Sequence, residues 1–412
     1  MTTGKVAYIM SRFPHLPETF ILREMLEMEN LGWEIALYPL VVQKQPVSHP
    51  AVSKFEARAH RLPFISGTIL FANFSELIRH PIRYFRIFGS IIHGNISSVK
   101  FLIRALAVFP KCVLMARLMK KEGIQHIHAH YATHPALAAW IIHQLTGIPY
   151  SVTAHAHDIY VEKPMLGTKL RDAAFIVAIS QFNRDYITNY LGNSIREKIH
   201  VIHCGVNPDD YSIHQENTSD NVFHVLNIGS LQPYKGQKYL IRGCASLVKQ
   251  GIPIHCTIIG GGELKDELAA LISSLHLEKT VELAGARTQE EVAEMLPRAD
   301  CYIQPSIITP SGKMEGIPVS LMEALVCKVP VIATNISGVP ELVQDQKTGL
   351  LIPPENEEAL VTAIQTIYND RMKASEMAEN GRQLVLREFS LISNVQKLAS
   401  LIQESMTTPI SN

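Results

Sequence analysis

EGIPVSLMEALVCKVPVIAT, residues 315–334, sets a helical pattern between a glycine–proline approach and a β-branched run. Gly316, Ile317 and Pro318 stand immediately before the helix, where a proline is favoured because its missing N–H has no intrahelical partner to lose. The amides that follow make a positive helix N-terminus suited to an anion. Val331, Ile332 and Ala333 then read as a strand. The same alternation of short β-branched runs and helical patterns extends along the whole chain, as in parallel α/β sheets. Strands are expected at 6–10, 34–38, 126–130, 150–154, 175–179 and 200–204 in the first half. In the second half they fall at 225–228, 255–259, 281–283, 301–304, 331–333 and 350–352.

A chain of 412 residues is too long for one ordinary core and predicts two domains. The polar stretch NPDDYSIHQENTSDN, 207–221, separates the two sets of strands and reads as the linker. The expected architecture is a pair of doubly wound, Rossmann-like α/β domains, 1–210 and 211–390, with ligands beyond the C-terminal ends of the strands. The last helical pattern, 391–404 in a segment 391–412, is expected to cross back onto the first domain. Lys+Arg and Asp+Glu are equal at 38 each, which argues against a general nucleic-acid binder. The six cysteines form no CxxC pair, so neither a zinc knuckle nor a disulfide framework is indicated. The N-terminus, MTTGKVAYIM, enters a strand directly without the pattern of a signal peptide. The longest stretch free of Asp, Glu, Lys and Arg, 123–157, holds seven of the 18 histidines and two prolines, a poor membrane span. A cytoplasmic protein without a transmembrane helix is expected.

The two acids of the opening stretch, Glu315 and Glu323, are eight positions apart. Glu323, a turn and a half into the helix, suits a vicinal diol such as that of ribose. Glu315, on the approach loop, would meet whatever is attached beyond the phosphates. An ordinary surface helix with two acids explains the pair until its context is added. GSLQPYKG, 229–236, follows a strand and opens a helix, which sets Lys235 where a phosphate can lie. IIGGGE, 258–263, is a second turn of this kind, and its glycines permit close backbone approach.

In this order the pieces resemble the retaining glycosyltransferases of the GT-B fold, specifically glycosyltransferase family 4. The resemblance runs almost end to end, through the GSLxPYKG turn, the IIGGGE turn, the paired acids, SGVPELV at 337–343, TGLLIPP at 348–354 and TAHAHD at 153–158. SRFPHLPETFILREM, 11–25, and HIHAHYATHPA, 126–136, resemble the bacterial exopolysaccharide branch of the colanic-acid and amylovoran type. The resemblance implies two Rossmann-like domains facing across a cleft, the first binding the acceptor and the second a nucleotide sugar. It implies transfer of a hexose from a nucleotide-diphosphate sugar, UDP-linked in preference to GDP-linked, to a saccharide or lipid-linked acceptor in surface polysaccharide biosynthesis.

The family's site residues carry over one by one. Glu315 would bind hydroxyls of the donor sugar, Glu323 the ribose, and Lys235 the diphosphate. Gly229, Ser230 and Gly260 in the glycine turns, with the backbone of Gly316, Ile317, Pro318 and Val319, would complete the donor site. His155, in the TAH element, would face the donor sugar and act in catalysis beside Lys235 and Glu315. The family often has arginine where this chain has Ser230, a loss of a bidentate phosphate contact, so that Lys235 must do more or another cation such as Arg287 substitutes. Front-face attack with retention needs no separate base, because the departing diphosphate oxygen takes the acceptor proton. No metal and no cofactor beyond the donor substrate is expected.

Arg12, His15, Glu18 and Thr19 follow the first strand and are candidate acceptor contacts, although a helix start accounts for Glu18 and Thr19 equally well. His126, His128 and His130 alternate along one strand and so share a face; His155 and His157 repeat the pattern. An HxH strand can begin a metal-dependent hydrolase site. The expectation here is instead a set of polar residues satisfied within the first domain or lining its cleft. A nucleotide-sugar binder or epimerase of the same fold is a further alternative. Between residues 61 and 121, ten Lys/Arg accompany a single acid, Glu76. His80 and Pro81 are expected to open a helix bearing Arg79, Arg83 and Arg86, with Phe85, Phe88 and Ile91 among its apolar residues. That pattern suits peripheral contact with the anionic cytosolic face of the inner membrane, where a polyprenyl-diphosphate-linked acceptor would be presented. Packed helices with a solvated basic face are the alternative.

Overall fold

In a computed structural model of the chain, residues 3–14, 19–43, 52–161, 163–214 and 221–407 are described. His15 and Glu18 lie outside them. The chain divides into two compact units, Met1–Ile202 with Val395–Asn412, and His203–Asn394. The first unit holds β1 (Gly4–Phe13), β2 (Trp33–Val42), β3 (His126–His130), β4 (Tyr150–Ala154), β5 (Phe175–Ala178) and β6 (Ile199–Val201). Their order in the sheet is β2-β1-β3-β4-β5-β6. The second holds β7 (Phe223–Ile228), β8 (Ile254–Ile259), β9 (Val281–Gly285), β10 (Cys301–Gln304), β11 (Val331–Thr334) and β12 (Leu350–Ile352), ordered β12-β11-β10-β7-β8-β9. Every pairing between these strands is parallel. All the expected strands are present, with ends shifted by a few residues.

Parallel strands covered by helices on both faces must be apolar on both sides. In the second unit Val225, Cys256, Ile258, Cys301 and Ile303 point into one core, while Leu226, Ile259, Tyr302, Val331 and Ala333 point into the other. The strand order reverses between β7 and β10, and in the first unit between β1 and β3. In doubly wound sheets such a reversal parts the connecting segments at the strand C-termini, the place where ligands bind in this class of fold.

The division between the units falls at Ile202/His203, ahead of the expected boundary after residue 210. The reason is hydrogen bonding. Val206 N–H donates to Phe389 O at 3.0 Å and Val206 O accepts Leu391 N–H at 3.1 Å, while His214 N–H donates to Cys327 O at 2.6 Å. The described part of the expected linker, 207–214, is therefore packed on the second unit. The Leu391–Thr407 helix begins in the second unit and continues in the first, where Ser405 Oγ lies 2.9 Å from His126 Nδ1.

The basic region forms three helices, Gly67–Arg79, Pro81–Asn95 and Val99–Lys121. Arg79 ends the first of them, so it does not share a helix with Arg83 and Arg86 as the spacing suggested. Pro81 starts a new helix, because its ring fixes φ and it has no N–H to continue the previous ladder. Ile91 is fully buried and Phe88 packs against Phe109 at 5.4 Å, so neither belongs to an outer apolar face.

Candidate active site

Two glycine-rich turns lock together beyond β7 and β8. Gly229 N–H donates to Ile259 O at 2.9 Å, and Leu231 N–H to Gly261 O at 3.0 Å. Gly260 has φ +148°, and a Cβ there would stand 1.9 Å from Gly229 O. Gly236 has φ +68°, and its Cβ would meet Pro305 O, beyond β10, at 1.9 Å. No side chain fits either place, so the glycines set how closely the turns approach one another. Gly261 differs, since a Cβ there would meet open space.

These turns carry Lys235 across Gly229 to the end of β10, where its Nζ ion-pairs with Glu315. The other oxygen of Glu315, Oε2, accepts from Ser306 Oγ at 2.6 Å and Gln304 Nε2 at 3.2 Å. Tyr302 Oη lies 2.7 Å from both Gln304 Oε1 and Ser320 Oγ, which ties the pair to the helix Val319–Val326. Burial works against the Lys235 charge, but Glu315 and Tyr234 outweigh it and raise the pKa above the usual lysine value. The site thus holds a protonated ammonium against a fixed carboxylate at the strand reversal. Pro318 is the N-cap of the helix and Glu323 its fifth residue, 8% exposed and accepting from Tyr211 Oη at 2.6 Å.

Of the other residues expected at a donor site, Gly316, Ile317 and Pro318 are buried beside the helix start, and Val319 is half-buried. Ser230 offers its carbonyl to Gln237 Nε2 at 3.2 Å. Arg287 follows the edge strand β9 and sits 3.9 Å from Glu291. The structure brings Gly229, Lys235, Gly260 and Glu315 into one connected arrangement. It sets Arg287 at the outer edge of the same sheet.

The first unit contains a second polar constellation at its own strand reversal. His126, His128 and His130 are buried on β3, within the sheet. Ser151 Oγ on β4 lies 2.7 Å from His126 Nε2 and 2.8 Å from His128 Nδ1, and Thr153 Oγ1 lies 3.0 Å from His128 Nε2. His130 Nε2 is 3.1 Å from Glu24 Oε1, which also accepts from Tyr8 Oη at 2.9 Å. His130 Nδ1 is 3.3 Å from His155 Nε2. An ionised Glu24 fixes the proton on His130 Nε2, so His130 Nδ1 accepts from His155 Nε2–H. Burial pushes the imidazoles of His128, His130 and His155 down to about 3, leaving them neutral. Burial also raises the Glu24 carboxyl, against the opposing pull of His128 and the Tyr8 hydrogen bond.

Asp158, fully buried, accepts backbone N–H bonds from Ala132 (2.8 Å), His155 (3.1 Å) and Ala156 (2.7 Å), and so shapes the TAHAHD turn around His155. Ligand atoms of Glu24, His128 and His130 all lie within 4.8 Å of one another, a donor set compatible with a metal. Both nitrogens of His128 are already bonded to hydroxyls, however, which favours an internally satisfied network. Arg12 is exposed at the end of β1, and Thr19 starts the Thr19–Asn30 helix. Sequence reasoning missed Glu24, Asp158, Tyr211 and Ser306. The first two sit inside quoted motifs, SRFPHLPETFILREM and TAHAHD. Tyr211 was hidden in the polar stretch taken for a linker.

Residues 209–384 match the family described as Glycosyl transferases group 1, and residues 74–210 match Glycosyltransferase Family 4. WcaL of Escherichia coli (strain K12), named for colanic acid biosynthesis, is 34% identical over 209 residues, 50% of this chain and 52% of the relative. The amylovoran biosynthesis glycosyltransferase AmsK of Erwinia amylovora is 31% identical over 50% of this chain and 51% of its own. The chain thus spans about half the length of these curated relatives. A Rickettsia africae glycosyltransferase structure superposes with a TM-score of 0.73 at 18% identity, over 99% of this chain and 100% of that one. Anabaena HepE in complex with UDP gives 0.71 at 19%, over 98% and 100%. Matched along its whole length by glycosyltransferase structures, the chain has the GT-B fold, and its two halves are similar to the families described as Glycosyltransferase Family 4 and Glycosyl transferases group 1.

Proposed function

We propose that the chain transfers a hexose from a nucleotide-diphosphate sugar, UDP-linked in preference to GDP-linked, to a saccharide or polyprenyl-diphosphate-linked acceptor. The transfer retains configuration at the anomeric carbon, needs no metal, and serves surface polysaccharide biosynthesis on the cytosolic side of the inner membrane. The observation that carries this reading is the Lys235–Glu315 pair, placed at the β7/β10 reversal between interlocked glycine turns and a helix N-terminus. The relatives named for colanic acid and amylovoran synthesis and the UDP complex of HepE support it.

On this reading the donor diphosphate takes over the Lys235 ammonium, and Glu315, released from its partner, accepts hydroxyls of the sugar. Glu323 holds the ribose diol, and the backbone of Gly316, Ile317, Pro318 and Val319 meets sugar and phosphates. Gly229, Ser230 and Gly260 line the phosphates, with Arg287 as a supporting cation. The bond from the anomeric carbon to the diphosphate oxygen breaks while the acceptor oxygen bonds on the same face. The acceptor proton passes to the departing oxygen, so the main task of the protein is to stabilise negative charge developing on the diphosphate. His155 acts in catalysis with its ring held by His130, which Glu24 in turn fixes. Arg12 and Thr19, with His15 and Glu18, are assigned to the acceptor.

Thermal unfolding against a panel of nucleoside diphosphates, each with chelator present, tests the donor. UDP at 100 times its dissociation constant should add about 2.7 kcal/mol of stability. Sugar transfer should persist in the chelator. Absence of stabilisation by every nucleotide overturns the donor reading; loss of transfer that zinc or magnesium restores overturns the metal-free one.

A further inference from the structure

The first unit turns apolar side chains outward where a solvated surface would carry polar ones. Of the 21 large apolar residues exposed among the described residues, 11 fall between positions 64 and 103. The Gly67–Arg79 helix shows how this arises. Ile69 and Ala72 are buried, and Asn73 Nδ2 donates to Pro110 O at 2.9 Å on the Val99–Lys121 helix. That settles the inward face, yet Leu70, Phe74 and Ile78, spaced four apart, form a second apolar stripe that is 62–64% exposed. Ile82 and Phe85 on the next helix and Ile103 on the third extend the exposed apolar character, at 83%, 61% and 64%. A helix with two apolar faces has two partners to satisfy.

The charges around this region have one sign. Arg79, Arg86, Lys100 and Arg104 are exposed, and Arg117 lies over the Phe71 ring at 5.4 Å. The single acid, Glu76, is taken by Arg83 at 2.5 Å. We propose that these three helices rest on an anionic lipid bilayer, with the apolar side chains in the boundary between headgroups and acyl chains and the arginines on lipid phosphates. A bilayer supplies both an apolar interior and a negative surface. A second copy docked by the same face would set arginines against arginines, which disfavours a symmetric pair. The attachment does not depend on the sugar-transfer reading, and it stands or falls on binding alone.

Co-sedimentation of the full chain with phosphatidylcholine vesicles, with and without phosphatidylglycerol, at low and high salt, tests it. The wild-type chain should pellet with the phosphatidylglycerol vesicles and release in high salt. A Leu70→Ser/Phe74→Ser/Ile78→Ser variant should bind on the order of tenfold more weakly. Arg79→Glu/Arg86→Glu/Arg104→Glu should lose the dependence on phosphatidylglycerol. All substituted side chains are exposed, and an unchanged circular dichroism spectrum establishes that the variants fold. Equal pelleting of all three proteins, or none by any, overturns the proposal. A wild-type dimer in vesicle-free solution that the serine variant converts to monomer also overturns it, and assigns the face to a second copy.

Discussion

Lys235 and Glu315 are 80 positions apart, and each stood out separately as a candidate phosphate or sugar contact. Their direct pairing was not, because no spacing rule joins residues on different strand ends. Tyr211 and Ser306 were invisible for the same reason: a hydroxyl gains its meaning from the carboxylate it meets, Glu323 or Glu315. Glu24 is a further case, held by Tyr8 and His130 from two different strands. The pairing sharpens what substitution should do. Glu323→Ala should raise the dissociation constant for UDP roughly tenfold, the loss of one hydrogen-bonding carboxylate, with little effect on saturated turnover. Glu315→Ala should chiefly lower kcat, on the order of 100-fold, because its proposed partner is the reacting sugar. Isothermal titration with UDP alongside steady-state kinetics separates the two, and wild-type behaviour of both variants would refute the assignment.

At the scale of elements, the strands were readable because a sheet covered on both faces demands near-continuous apolar runs bounded by turn residues. β3 was readable despite its sequence, HIHAH, because alternation held while hydroxyls on β4 supplied the polar partners. The three basic helices were legible as helices but not in their orientation. Periodicity marks an apolar stripe without saying which stripe faces inward, and here the Gly67–Arg79 helix has two. The glycine turns offer a test in which neighbouring positions diverge. Gly260→Ala forces a Cβ onto Gly229 O and should destabilise the second unit by about 2 kcal/mol or more. Gly261→Ala has room and should unfold at the wild-type temperature. If a diphosphate approaches this turn, Gly261→Ala should nonetheless raise the KM for the donor several-fold. Calorimetry and donor kinetics on the pair distinguish a folding role from a binding role.

For the whole molecule, the buried histidines make stability a function of acidity. His128, His130 and His155 are held neutral by burial, at about 3, against an unfolded value near 6.5. Their contribution is full above about pH 6.5 and is lost as pH falls from there towards 3, because the unfolded chain then binds protons that the folded one refuses. Each such histidine adds a slope of up to about 1.4 kcal/mol per pH unit inside that window. The raised Glu24 carboxyl acts in the opposite sense, offsetting part of the loss near the acid end. Urea unfolding at pH values from about 7.5 down to 5 should show the midpoint falling steadily below about 6.5. A flat profile would mean that the network takes up protons without cost.

The two passages of chain between the units have a consequence of their own. Asn394 Nδ2 donates to His203 O at 3.1 Å, so the entrance and exit of the second unit are hydrogen-bonded neighbours. In topological terms the second unit is an insertion: one continuous piece, ends together, between the two segments of the first. Residues 203–394 should therefore be excisable as an autonomous domain that unfolds cooperatively and still binds UDP. Residues 1–202 alone should not be its counterpart, since they lack the helical residues that bring Ser405 to His126. Expression of the two fragments, followed by calorimetry, would show whether the gene can be cut at the crossing without cutting the fold.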